Sequence, residues 1–149
     1  VPITVTATVA GLTILGSRFE EATRQITADA AHIVQARAMV EAPVGTPGNS
    51  TNYPGDLRRS IDVQGPYNTG GEYVALVGPT VIYGRQRELG GNIYPKAATL
   101  LRFTKFGQTV FTSHVYQHPN PYMLRGEMAS LPAIEAVVYA RLAAVIEET

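Results

Sequence analysis

Residues 17–43, SRFEEATRQITADAAHIVQARAMVEAP, decide how this chain folds. Phe19, Ala22, Ile26, Ala30, Ile33 and Val40 recur at three- and four-residue steps or their sum, so one face of a long helix is apolar and must be covered. Ser17 with Glu20 three residues on has the spacing of a capping box, and Glu20 and Glu21 suit the positive end of the helix dipole. The two glutamates are therefore read as helix-start residues and not as a catalytic carboxylate pair. His32 lies beside the stripe, where a histidine is ordinarily a surface or satisfied residue. Pro43 ends the helix, because the residue before a proline avoids the helical region.

A helix with one apolar face needs a second layer, and the flanking sequence supplies strands. Upstream, Ile3, Val5, Ala7 and Val9 alternate with Thr4, Thr6 and Thr8, the period of a half-buried strand, and Gly11 to Gly16 bounds a short apolar segment. No Lys or Arg precedes Arg18, which argues against a secretory leader, and no run of 18 apolar residues reads as a membrane span. Downstream, residues 43–56 concentrate Pro and Gly among Asn, Ser and Thr and read as a flexible loop. Leu57 to Val63 leads into strands, and Glu72 to Gly78 reads as a strand covered on both faces. Thr99–Phe106 and Thr109–Tyr116 form a hairpin joined at Gly107-Gln108. Asn120-Pro121 can start one short helix, and Ser130-Leu131-Pro132 can start or kink another. Leu131, Ile134, Val138, Leu142 and Val145 give that end an apolar stripe. The expectation is one α+β domain over residues 1–149. An antiparallel sheet of four to five strands would be packed by the N-terminal and C-terminal helices, with a possible assembly loop at 104–121.

Composition narrows the function. The 149 residues carry twelve Lys+Arg and twelve Asp+Glu, a net charge of zero, with only 16% charged residues. A small protein that works alone usually keeps some net charge against association, so this balance points to life in an assembly. The neutrality is uneven. Residues 85–125 hold Arg85, Arg87, Lys96, Arg102, Lys105 and Arg125 against Glu88 alone, while 126–149 hold Arg141 against Glu127, Glu135, Glu147 and Glu148. A basic middle and acidic flanks can pair between copies.

Catalytic chemistry finds little to work with. No cysteine is present, which removes thiolate nucleophiles, disulfides and Cys-based metal sites. His114 and His118 are four apart, but the nearest Asp, Glu or Cys is Glu127, nine residues after His118, and zinc needs three or four ligands. The chain lacks the Gly-x-Ser-x-Gly elbow of a serine hydrolase, and the 43–56 loop lacks the Gly-Lys-Ser/Thr of a phosphate loop. Arg58, Arg59 and Ser60 read as an element start and not as a phosphate site. Glu88 sits among cations, a poor setting for a general acid. The basic segment with Tyr94, Phe103 and Phe106 fits passive contact with DNA but carries no recognition motif.

Three stretches in fixed order carry a resemblance. Ala42-Pro43-Val44-Gly45-Thr46 is followed by Leu57-Arg58-Arg59-Ser60-Ile61. Tyr83-Gly84-Arg85-Gln86-Arg87-Glu88-Leu89-Gly90-Gly91 continues through Ile93, Pro95-Lys96 and Leu101-Arg102-Phe103. His118-Pro119-Asn120-Pro121-Tyr122-Met123-Leu124-Arg125 opens the last helix. Together they resemble the tail-component family of long-tailed bacteriophages, which includes minor tail protein Z-like and tail-completion proteins. The resemblance implies a virion structural protein made in the bacterial cytoplasm, with no catalytic residue, cofactor or metal. It implies a homo-oligomeric ring, a hexamer, at the head–tail junction or upper tail. Its partners would be stopper or adaptor, tail terminator and tail tube proteins, with DNA passing through the channel and no membrane. Arg85, Arg87, Glu88, Lys96, Arg102, Lys105, Tyr122 and Arg125 are the candidate interface residues. The alternatives are a tail terminator capping the tube and, from another class, a small metal-dependent enzyme using His114 and His118.

Overall fold

The computed structural model describes residues 2–7, 16–45 and 53–147. Most of the segment between Gly11 and Gly16, and the centre of the 43–56 loop, lie outside them.

The long helix α1 (Gly16–Glu41) is the middle of the molecule. Its buried residues are Phe19, Ala22, Thr23, Ile26, Thr27, Ala30, Ala31, Val34 and Ala38. That arc is broader than the expected stripe and is rotated at its end, where Ile33 is half-buried and Val40 is 69% exposed. The reason is that α1 touches two layers, a sheet on one side and the C-terminal helix on the other. Full burial of Phe19, Ile26 or Val34 is worth about 1.5–3 kcal/mol each. Alanines and threonines fill the remainder, and Thr23 and Thr27 satisfy their hydroxyls by donating to the carbonyls of Phe19 (2.7 Å) and Thr23 (2.9 Å). The helix begins at Gly16, which places Ser17 inside it. Glu20 does not close a capping box there, since its carboxylate accepts the Tyr73 hydroxyl at 2.9 Å.

The sheet under α1 has three antiparallel strands in the order β1 (Ile3–Ala7), β3 (Glu72–Pro79), β2 (Ile61–Thr69). Register places Thr4 opposite Leu76 and Val63 opposite Val77. A short helix α2 (Asp56–Arg59) leads into β2, so Arg58 and Arg59 have local tasks. Arg58 reaches the carbonyl of Ala42 at 3.4 Å, near the end of α1, and Arg59 pairs with Asp56. Tyr73, Ala75 and Val77 of β3 are buried, and Val74 and Leu76 on the opposite face are half-buried. Ala75, Val77 and Ile61 share one core with Ala31, Val34 and Ala38 of α1, Leu57, and Tyr122 and Met123 at the start of the last helix.

The expected single sheet of four to five strands is not what forms. Both edges of β3 are already taken by β1 and β2, so the chain leaving β3 has no free edge of it to pair with. It departs through the short helix α3 (Gly84–Leu89) and builds two further two-stranded ladders. One pairs β4 (Gly91–Ile93) with β7 (Val115–Gln117), and the other pairs β5 (Leu101–Lys105) with β6 (Gln108–Thr112).

The C-terminal end is one continuous helix, α4 (Tyr122–Glu147), and not two. Pro132 lies inside it, but packing against α1 on both sides of the proline holds the helix together. The two helices run antiparallel. Arg125 pairs with Glu41 at 2.8 Å at one end, and Arg141 binds Asp29 at 2.8 Å and Gln25 at 2.7 Å at the other. Near the first end, a Cβ added to Gly126 would lie 2.6 Å from the backbone of Ala38, so the helices are as close as glycine allows. By length and composition α4 could cross a membrane, with a mean hydropathy of 1.6 over its most apolar 18 residues. The single-run reading of the sequence passed over this because Glu135 and Arg141 interrupt it.

Candidate assembly surface

The chain after β3 reads, from the body outward, as a buckle and an arm. The buckle is α3 with the start of α4. Glu88 is buried and its carboxylate accepts the backbone N–H groups of Met123 (2.9 Å) and Leu124 (3.2 Å). These are among the first amides of α4, which have no partner within the helix, and a carboxylate also complements the positive end of the dipole. Tyr122 is fully buried beside it and donates its hydroxyl to the Gly84 carbonyl at 3.3 Å. Burial, and then the nearby Glu88 and Tyr83, push the Tyr122 hydroxyl well above the ordinary tyrosine range. Gly84 is required by contact, since a Cβ there would lie 2.5 Å from the Pro79 ring.

The two ends of the arm are fastened to this buckle. The Asn120 amide donates to the Arg87 carbonyl (2.9 Å), and Gln86 donates from its side chain to the Gly90 carbonyl (3.0 Å). Gly90, at φ 68°, lies so close to Gln117 and Pro119 that an added Cβ would fall 2.6 Å from their backbone. From this root the chain runs out through β4 and β5, turns, and returns through β6 and β7. The turn is Phe106-Gly107, one residue earlier than expected, with φ of 50° and 78°, as a tight two-residue hairpin turn requires. Neither β5 nor β6 packs extensively on any other element, so the outer ladder stands away from the body.

The arm is cationic and aromatic. Lys96, Arg102 and Lys105 are exposed, and no Asp or Glu lies between Glu88 and Glu127. Phe106 at the tip is 82% exposed, with the Lys105 ammonium 5.7 Å from its ring centre, and Phe111 is cross-strand from Arg102. Leu101, Phe103, Val110 and Thr112 share the other, half-buried face.

Of the candidate residues, the structure groups Lys96, Arg102 and Lys105 on the arm and Arg85 and Arg87 at its root. None of the five is ion-paired with another described residue. Arg85 and Arg87 are two apart on a short helix and point to different sides of it. Glu88, Tyr122 and Arg125 have partners within the same chain: Glu88 and Tyr122 as above, and Arg125 with Glu41 and, at 2.7 Å, Asn120. His114 and His118 are not brought together. Four residues of extended chain cover about 13 Å. Tyr116 stands between them, edge-on to His118 with ring centres 5.1 Å apart, while His114 packs near Tyr94. Among the described residues no cluster of three or more His, Cys, Asp or Glu could hold a metal. The site the sequence did not reveal is the outer face of α4, where Leu124, Met128, Leu131, Tyr139 and Ile146 are each at least half exposed. The stripe read from sequence runs beside it. Ile134, Val138, Leu142 and Val145 of that stripe are half-buried, while Leu131 belongs outside.

A helix layered on a small sheet, carrying a fastened arm, defines a protein whose exposed chemistry is suited to contact. Residues 10–90 match the family described as "Bacteriophage HK97-gp10, putative tail-component". That is more than half of the chain, from just before α1 to the root of the arm, and the protein belongs to this phage tail-component family. Membership gives it a structural part in a phage tail and a place in the virion. No curated protein and no solved structure matches the chain.

Proposed function

We propose that this tail component completes the tail as a homo-oligomeric ring, six copies by the family resemblance, at the head–tail interface. The observation that carries the reading is the set of exposed cations Arg85, Arg87, Lys96, Arg102 and Lys105, none ion-paired within the described chain although the protein is neutral overall. A neutral protein that leaves one segment's cations unpaired has acidic surface to offer elsewhere, on its own copies or on neighbouring neck and tail proteins. Heterologous contacts of that kind close into rings where the rotation between copies closes. DNA passing through the ring would meet a surface of the same sign as its counterions.

The test is the double substitution Arg85→Glu with Arg87→Glu. Both side chains are exposed and unpaired, so the subunit keeps its circular dichroism spectrum and thermal midpoint. Complementation of a phage lacking this protein should then yield filled heads beside free tails of normal length. Overlong tails would overturn joining in favour of tube termination. Normal virion yield would overturn the proposal.

A further inference from the structure

Helix α4 is apolar on two faces, and only one of them is covered. The inner face packs on α1. On the outer face Leu124, Met128, Leu131, Tyr139 and Ile146 follow steps that keep them on one side of a straight helix, and all are at least half exposed. Glu135 falls within this stripe, Glu127 flanks it, and Glu147 closes the helix; none is ion-paired with a described residue. An exposed apolar stripe of this kind, interrupted by Glu135, marks a contact surface.

The arm has the complementary properties. It is cationic without a single acid, and it exposes Phe106 and Phe111 next to Lys105 and Arg102. A two-stranded ladder is marginal in water unless something covers it. Phe106 also holds a left-handed φ of 50°, which bulky side chains rarely adopt, with its ring turned to solvent.

We propose that the arm of one copy lies along the outer face of α4 of the next copy. Arg102 and Phe111, which share one face of the ladder, and Phe106 with Lys105 at its tip cover the leucine and tyrosine stripe with Glu127 and Glu135. A two-fold pairing of α4 with α4 is disfavoured, because centring it on the stripe would set Glu135 against its own copy and leave the arm bare. Arm-to-helix contact is head-to-tail, so it deepens the ring reading and rests on it.

The cysteine-free chain allows a direct trap. Full-length protein carrying Phe106→Cys or Phe111→Cys is mixed with protein carrying Leu131→Cys or Tyr139→Cys and oxidised. Disulfide heterodimers should exceed, by about tenfold, those formed when the arm variants are mixed with a Thr69→Cys control on exposed β2. In sedimentation, Arg102→Glu with Lys105→Glu should weaken self-association by about tenfold or more. Mixing that variant with Glu127→Lys, Glu135→Lys protein should restore association. If wild-type protein assembles but no arm-to-α4 disulfide exceeds the control, this contact is wrong and the ring stands. Wild-type protein that stays monomeric at high micromolar concentration overturns both. Flotation with phosphatidylglycerol vesicles that Leu131→Glu abolishes without changing self-association would assign the α4 face to lipid and overturn the contact.

Discussion

At the scale of single residues, Glu88 shows how a charge in the middle of a basic segment can be structural. In sequence it sits among Arg85, Gln86 and Arg87 and reads as part of an exposed charged run. Its actual partners are the amides of Met123 and Leu124, thirty-five and thirty-six positions away, a distance no local pattern encodes. Glu88→Ala leaves two buried or half-buried N–H groups at the start of α4 without an acceptor. The expected cost is about 1–3 kcal/mol in chemical denaturation. Glu88→Gln, which keeps an acceptor oxygen but gives up the interaction with the helix dipole, should lose roughly half as much. Unchanged stability in Glu88→Ala would show that these bonds do not hold the buckle. What the sequence did make legible at this scale was Arg58 and Arg59 as element-start residues. Both of those arginines are engaged beside α2, at the end of α1 and with Asp56.

Among the elements, the period of the hydrophobic pattern was readable and the number of partners was not. The α1 stripe, β3 and the arm hairpin all follow from their spacing. The end of α1 did not, because Ala38 carries no more signal than any alanine, yet it sits where a second helix comes closest. The same ambiguity hid the outer face of α4, since a helix apolar on two sides has little net asymmetry to read. Gly126 tests the helix crossing. In isolation Gly→Ala stabilises a helix interior by about 1 kcal/mol. Here the new methyl meets the Ala38 backbone, which cannot swing aside as a side chain would, and overpacking costs about 1–3 kcal/mol. Gly126→Ala should therefore lower stability by up to about 2 kcal/mol net. A gain in urea midpoint would mean that the helices are free to separate. The sheet was over-predicted for a topological reason. Strand pattern says which segments are extended and not which edges they choose: β4 to β7 pair among themselves and not with the edge strands β1 and β2.

For the whole molecule, the zero net charge is a sum over parts that do not neutralise one another within the described chain. Among the described residues, ion pairs tie Arg24, Arg59, Arg125 and Arg141 to acids on the body, while the arm's cations and the described α4 acids remain without one. The body has its own core, shared by α1, the sheet and the start of α4, and that core does not draw on the outer ladder. Two consequences follow if neighbouring copies cover the arm and the outer face of α4. Association then stabilises the fold by mass action, so the thermal midpoint of the full chain should rise with protein concentration and fall with added salt at fixed concentration. Replacing residues 94–114 by a short glycine turn that joins β4 to β7 should leave a folded subunit, because the root is fastened independently by Gln86, Arg87 and Gly90. Its midpoint should equal that of dilute wild-type protein and should no longer depend on concentration. Scanning calorimetry over a hundredfold dilution series makes the comparison. A midpoint that climbs equally for the shortened chain would locate the assembly contact on the body. A shortened chain that fails to fold would show that the arm belongs to the core of its own subunit.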